Sequence, residues 1–308
     1  MGKRMAEHRK KPLPEITWDN ITPPYLDHAY FEGGTSFPFR IAVRGFDKVN
    51  AWWLAEMATL VYADPPFAGT FLYKAGFASY RFFSGNSTQC YVADAGDFAV
   101  AAFRGTETRP RGDGGFEPVL ADIMTDVDIR LVPSGRSGKV HKGFRNALEE
   151  VWGELMPHLE KLAADGRLIW LTGHSLGAAL ATLAADRLSD VQGVYTFGSP
   201  RVGDRRFADG YGASLYRFVH RYDIVCRLPP SPPYAHVGEL HDIGAEGTRH
   251  GSAMRPYDPA ARIRNEFRRF FTALGQERRG TGDRIPDEIR DHVPLYYTVH
   301  LWNALGEP

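Results

Sequence analysis

The chain has 308 residues, with 37 Lys and Arg against 37 Asp and Glu, 43% apolar residues and 24% charged ones. That length supports one large domain with a well-buried core, and the apolar content excludes a disordered chain. The zero charge balance gives no electrostatic footprint for nucleic acid, and the two cysteines, Cys90 and Cys226, form neither a disulfide framework nor a zinc motif. They read as two free buried thiols, with a single bridge as the alternative.

Residues 1–45 mix Pro, Gly and aromatic residues without periodicity, which predicts an irregular surface arm. Met1 to Pro14 is basic and polar and lacks the apolar stretch of a secretory leader; no window reaches the ~18 uninterrupted apolar residues of a membrane span. The expectation is a soluble cytoplasmic protein, or a secreted one if a leader has been removed. Val49, Trp53, Met57 and Leu60 recur at helical spacing and predict a helix over Phe46 to Tyr62. Four short strands are predicted next: Gly69 to Tyr73, Ser79 to Phe83, Gln89 to Ala93 and Phe98 to Phe103. A Gly- and Pro-bearing segment, Arg104 to Gly115, interrupts them, and a helix is predicted over Asn146 to Ala164.

Then the rhythm changes. Leu168 to Thr172 is a continuous apolar run, as in a strand buried on both faces. Leu176 to Leu188 reads as a helix, Val191 to Phe197 as a strand, Arg205 to Tyr211 as a short helix and Leu215 to His220 as a strand. The tail holds two further helix candidates, Pro259 to Leu274 and His292 to Leu305. Alternating strands and helices argue for an α/β fold with a mostly parallel sheet and covering helices.

Gly173-His174-Ser175-Leu176-Gly177 fits the pattern Gly-x-Ser-x-Gly. It follows a buried strand directly and opens a helix directly, which is the context the pattern requires. A sharp strand-to-helix turn crowds the backbone, so glycines two before and two after the serine let strand and helix approach. The turn lifts the hydroxyl clear of the sheet, and the helix N-terminus beneath it favours developing negative charge. The alternative reading is a Gly-rich turn with a capping serine.

A serine hydroxyl needs a base, and the base needs an orienting acid; in this setting the chain order is Ser, then Asp or Glu, then His. Asp223 leads for the acid because it stands just past the strand Leu215 to His220, where α/β sheets gather active residues. Its rivals are Asp204, which is placed to cap the next helix, Asp209, and Asp242 beyond a Pro-rich loop. For the base, His220, His236, His241, His250, His292 and His300 all lie downstream. His236 and His241 fall in a probable strand and read as core hydrogen-bonding groups. His292 leads because it starts the last helix after a polar loop, with His300 two turns on and facing the same side; chain order alone leaves the choice open.

Several ordered blocks carry a family resemblance: Ala102-Phe103-Arg104-Gly105-Thr106, Lys139 to Phe144, Thr172 to Gly177, Thr196 to Asp204, Asp223 to Pro230, and Asp291-His292 followed by Tyr296 and Tyr297. Over roughly residues 46 to 305 the sequence resembles the class 3 lipases, the fungal-lipase-like group of α/β hydrolases. The resemblance implies an α/β-hydrolase fold: a central, mixed but mostly parallel sheet with helices on both faces and a lid segment. It implies the triad Ser175, Asp223 and His292, and an oxyanion hole made by the backbone N–H groups of Leu176 and Thr106. It implies one catalytic domain over 46–308 with a lid at about 107–122, preceded by the arm 1–45, for which the family offers no counterpart. The expected activity is hydrolysis of acylglycerol or other carboxylic esters through an acyl-enzyme, at a lipid–water interface and without metal or organic cofactor. Phospholipase A1 and feruloyl esterase activities stand as alternatives, and a catalytically silent interaction scaffold as a remote one; the oligomeric state stays open. Cys226 stands where the family often has proline, and Ala178 where it usually has glycine.

The interval Glu107 to Asp122 has a polar, Gly-rich first half and a small apolar tip of Phe116, Val119 and Leu120, which predicts a flap rather than a long helix. Ile263, Phe267, Phe270 or Phe271, and Leu274 share a helical face among Arg262, Arg264, Arg268 and Arg269. That face is expected to pack into the core, with membrane contact as the alternative. Asp122, Asp126 and Asp128 match no calcium-loop spacing and read as solvated charge.

Overall fold

Asp47 ends the arm and starts the first helix. In the computed structural model, which describes residues 8–17, 20–105, 130–244, 285 and 287–306 together with the backbone of 108–110, 116–118 and 247–250, its Oδ1 accepts from the Val49 and Asn50 N–H groups at 2.8 and 3.0 Å. Two donors left open at a helix start are thereby satisfied. Helix α1, Lys48–Leu60, follows, and every residue after Lys48 is buried. Gly69 to Tyr73, expected as a strand, belongs instead to helix α2, Pro65–Lys74. Asp64 caps it by accepting from the Phe67 N–H at 2.9 Å, and Pro65 and Pro66 fill the first turn, where a missing N–H removes no helical bond. Ala68, Gly69 and Leu72 make its buried side at helical spacing.

Strands β1 (Ser79–Ser84), β2 (Gln89–Asp94) and β3 (Phe98–Phe103) form an antiparallel meander. Strands β4 (Thr108–Pro110) and β5 (Phe116–Pro118) pair antiparallel inside the expected lid, the rest of which lies outside the described residues. Strands β6 (Leu131–Pro133) and β7 (Lys139–His141) lead into helix α3 (Lys142–Ala164). Then come β8 (Leu168–His174), α4 (Leu176–Arg187), β9 (Gly193–Phe197), β10 (Gly203–Asp204), α5 (Arg205–Asp209), β11 (Leu215–His220), β12 (Tyr234–Ala235), β13 (Glu239–Gly244) and β14 (Gly247–His250). The chain closes with α6 (Asp287–Arg290) and α7 (Pro294–Ala304). The helix expected over Pro259 to Leu274 and the carboxylates Asp122, Asp126 and Asp128 lie outside the described residues.

The main sheet runs β1-β2-β3-β8-β9-β11-β13-β14, parallel from β3 through β13 and antiparallel at both ends. Its two faces bury separate cores. On one, Ile169 and Leu171 of β8 and Ala99, Ala101 and Phe103 of β3 meet Leu155 of α3 and Leu180 of α4. On the other, Trp170 and Val100 meet Trp52 and Trp53 of α1 and Trp302 of α7. Successive side chains of a strand point to opposite faces, so a strand covered on both sides must be apolar at every position. This is why β8 reads as an unbroken run.

The described part of the arm forms turns without helix or strand and is strapped to the last helix. The Trp302 Nε1–H donates to the Arg9 carbonyl at 2.8 Å, and Asn303 exchanges bonds with the Lys11 backbone at 2.7 and 2.9 Å. Cys90 and Cys226 are both free and buried. Among the described residues no helix is long and apolar enough to cross a membrane.

Candidate active site

Strand β8 meets helix α4 at Ser175, whose backbone sits at φ 60° and ψ −127°. A non-glycine residue held there stores roughly 1–3 kcal/mol of strain, and the surroundings impose it. The Ser175 N–H donates to the Phe197 carbonyl of β9 at 3.0 Å. A Cβ on Gly177 would lie 2.1 Å from the Phe103 carbonyl oxygen, and one on Gly173 would lie 2.3 Å from the Gly177 carbonyl. The two glycines are therefore required by close backbone approach. Ser175 makes no side-chain cap bond to α4, which removes the capping-serine alternative. Leu176 holds the first position of that helix, where a backbone N–H has no intrahelical acceptor.

The Ser175 Oγ lies 2.9 Å from His292 Nε2. The other ring nitrogen, Nδ1, lies 2.9 and 3.0 Å from the two carboxylate oxygens of Asp223. A carboxylate accepts, so Nδ1 carries the proton and Nε2 offers its lone pair to the serine. Asp223 follows β11 and is fully buried, while Ser175 and His292 are 3% and 8% exposed. Its Oδ1 also accepts from the Val225 N–H at 2.9 Å, and its Oδ2 from the Tyr297 hydroxyl at 2.5 Å. Burial works to raise the Asp223 pKa, but the facing His292 and the bonds from His292 and Tyr297 outweigh it and hold the carboxyl below its ordinary value.

The competing acids are engaged elsewhere. Asp204 caps α5 by accepting from the Phe207 N–H at 2.8 Å, Asp209 pairs with Arg205 at 2.8 Å, and Asp242 sits on β13. So are the competing bases. His220 donates from Nδ1 to the Asp291 carbonyl at 3.1 Å, and burial pushes its pKa down to about 3. His241 is buried on β13 with Phe46 4.1 Å away, centroid to centroid. His236, expected within a strand, falls between β12 and β13 and bonds the Cys226 carbonyl at 2.7 Å. Only the backbone of His250 is described. His292 itself lies before the last helix rather than in it, because Val293 caps that helix and Pro294 opens it. The i to i+8 relation expected with His300 therefore fails, and His300 lies against His220 with tilted rings whose centroids are 4.7 Å apart.

Thr106, expected as an oxyanion donor, lies outside the described residues; Arg104 and Gly105 lead up to it. Two neighbours of the site escaped sequence reasoning. Tyr297 was visible only as part of a family block. Gly198, at φ +59°, has no room for a side chain, since a Cβ would stand 2.9 Å from Asp223 Oδ2 and 3.0 Å from His292 Cε1 and Nδ1. Its place directly after β9, in the block Thr196 to Asp204, was the available signal.

A mostly parallel sheet covered by helices, with a serine on a strained strand-to-helix turn at the carboxyl end of β8, gives this protein the α/β-hydrolase fold. Residues 100–232 match the family model described as Lipase (class 3). Over that stretch the chain is similar to the class 3 lipases. It is 36% identical over 134 residues to a lipase of Rhizopus niveus, covering 39% of this chain and 33% of that protein. It is 43% identical over 99 residues to the secreted mono- and diacylglycerol lipase 1 of Fusarium solani, covering 30% of each. A solved Rhizomucor miehei lipase propeptide complex is 26% identical, with 77% of this chain and 78% of that one covered and a TM-score of 0.48. The chain spans about a third to a half of the length of the curated relatives it matches. These relatives lend no support to the cytoplasmic location expected from the N-terminal residues.

Proposed function

We propose that the protein is a carboxylic ester hydrolase acting on acylglycerols through an acyl-enzyme on Ser175. The observation that carries this reading is the chain of contacts Ser175 Oγ, His292 and Asp223, at 2.9 Å and 2.9–3.0 Å, on the turn after β8. His292 Nε2 takes the Ser175 proton as Oγ attacks the ester carbonyl carbon, and the carbonyl electron pair moves to oxygen. The backbone N–H groups of Leu176 and Thr106 hold that oxyanion, and Asp223 holds Nδ1–H and stabilises the imidazolium. Collapse of the intermediate expels the alcohol, which takes the proton from Nε2, and leaves the acyl group on Ser175. Water then repeats the sequence and releases the carboxylic acid. In this reading residues 46–308 form one catalytic domain, residues 1–45 an arm, and the substrate is met at a lipid–water interface. The secreted relative from Fusarium supports export of this protein as well.

The test is hydrolysis of p-nitrophenyl esters from acetate to palmitate, and of emulsified tributyrin and triolein, by wild type and Ser175→Ala. The wild type is expected to cleave them, and the variant to lose about 10⁴-fold or more in kcat. The chain-length profile and any rise at the emulsion surface decide between lipase and short-chain esterase. A variant as active as wild type removes Ser175 as the nucleophile.

A further inference from the structure

Two histidines lie ring against ring at the site, and the ring nitrogens of one of them bond to groups other than the serine hydroxyl. His174 and His292 have ring centroids 4.4 Å apart. His174 Nε2 stands 2.8 Å from the His292 backbone carbonyl oxygen, and His174 Nδ1 stands 3.0 Å from the Tyr62 hydroxyl. A carbonyl oxygen can only accept, so Nε2 must carry the proton. Burial above all, and then the neighbouring His292, hold the His174 pKa well below the ordinary histidine value, so the ring is neutral and has one proton to place. With Nε2 protonated, Nδ1 is an acceptor, and the phenolic O–H is its donor. Burial pushes the Tyr62 phenol up, so it keeps the proton it donates.

We propose that Tyr62 is a positioning residue for the base: its hydroxyl donates to His174 Nδ1, fixes the Nε2–H tautomer, and through the bond to the His292 carbonyl holds His292 over Ser175. The inference rests on the reading of Ser175 as nucleophile. Tyr62 stands two residues past the end of α1, whose residues after Lys48 are all buried, so the hydroxyl is held beside a rigid element. Without it, His174 is free to carry its proton on Nδ1. The Nε2 lone pair then faces the lone pairs of the His292 carbonyl oxygen, an attractive contact becomes repulsive, and the segment carrying the base moves. A displacement of this kind spoils the attack geometry while leaving substrate contacts in place.

The test combines kinetics with imidazole ¹⁵N–¹H spectra of the full chain for wild type, Tyr62→Phe, His174→Gln and the double variant, with Ser175→Ala alongside. In wild type His174 is expected as a single Nε2–H tautomer, and in Tyr62→Phe as a mixture. Tyr62→Phe is expected to lower kcat on a soluble p-nitrophenyl ester about tenfold with KM unchanged, the size of one lost hydrogen bond. A glutamine at 174 offers an amide N–H to the His292 carbonyl with no tautomer to choose, so in that background Tyr62→Phe should cost less than about threefold. An Nδ1–H tautomer in wild type, a Tyr62→Phe enzyme with wild-type kcat, or the same loss in both backgrounds overturns the proposal. Activity surviving in Ser175→Ala overturns the nucleophile reading instead, while the spectra still report the Tyr62–His174 bond on their own.

Discussion

Gly198 shows how little space separates the acid and the base from the sheet below them. Its φ of +59° costs an L residue about 1–2 kcal/mol, and a Cβ there would press on Asp223 Oδ2 at 2.9 Å and on the His292 ring at 3.0 Å. Gly198→Ala is therefore expected to move the very groups whose spacing sets the rate. A drop in kcat of about 100-fold should accompany a modest loss of stability, because misplacement of reacting groups by an ångström costs that much. Steady-state kinetics beside a thermal melt checks this; a variant that melts early but turns over normally when folded would contradict it. Ser175 and Asp223 stood out in the sequence by their places on the strand-to-helix turn and past a strand end, whereas chain order left His292 one of six histidines and only the family resemblance singled it out. Gly198, Tyr297, Tyr62 and His174 did not stand out, because each acts only once β9, α1 and α7 have been brought to the same end of the sheet.

At the scale of elements, what the sequence reveals follows from which surfaces an element covers. Strands β3 and β8 are buried on both faces and announce themselves as unbroken apolar runs. In helix α2 the pattern of Gly69, Phe71 and Tyr73 resembles a strand, although Asp64 followed by Pro65 and Pro66 is a helix start on capping grounds. The last helix was begun two residues early, since Pro294 fits its first turn and leaves His292 outside. Caps thus carry information that periodicity does not, and they carry energy too. Asp47 satisfies two N–H groups of α1, accepts from Arg40 at 2.7 Å, and takes the Tyr195 hydroxyl on its own N–H at 3.1 Å. Asp47→Ala is expected to cost about 1–2 kcal/mol, the upper range for a cap, because α1 is buried and its open N–H groups cannot turn to water. Urea unfolding of the two proteins measures it, and a change below a few tenths of a kcal/mol would mean that the cap is not what anchors α1.

Across the whole molecule, stability is tied to protons that the site itself does not use. His174, His220, His236 and His300 are all held below the ordinary histidine pKa, burial being the largest cause in each. They are neutral in the folded chain and charge in the unfolded one, so the unfolded state binds more protons below about pH 6.5 and stability falls as the pH drops from there towards the folded values. Asp291 works in the opposite direction. It is 1% exposed, accepts from the Tyr222 N–H at 3.1 Å through Oδ2, and has no hydrogen-bond partner at Oδ1. Burial raises its pKa to about 6 against the lowering pull of that bond and of Arg221 and Arg290. A raised carboxyl binds its proton more tightly in the folded state, so its contribution is fully present below about pH 4 and is lost as the pH rises through about 6. Wild type is thus expected to melt at a lower temperature at pH 5 than at pH 7, with the histidines outweighing the single carboxyl. Asp291→Asn keeps an acceptor for Tyr222 and cannot ionise. Its melting temperature relative to wild type should therefore climb between pH 4 and pH 7, by the equivalent of on the order of 1–2 kcal/mol. A difference that stays flat across that range would show that Asp291 is already ionised at pH 4 in the folded protein.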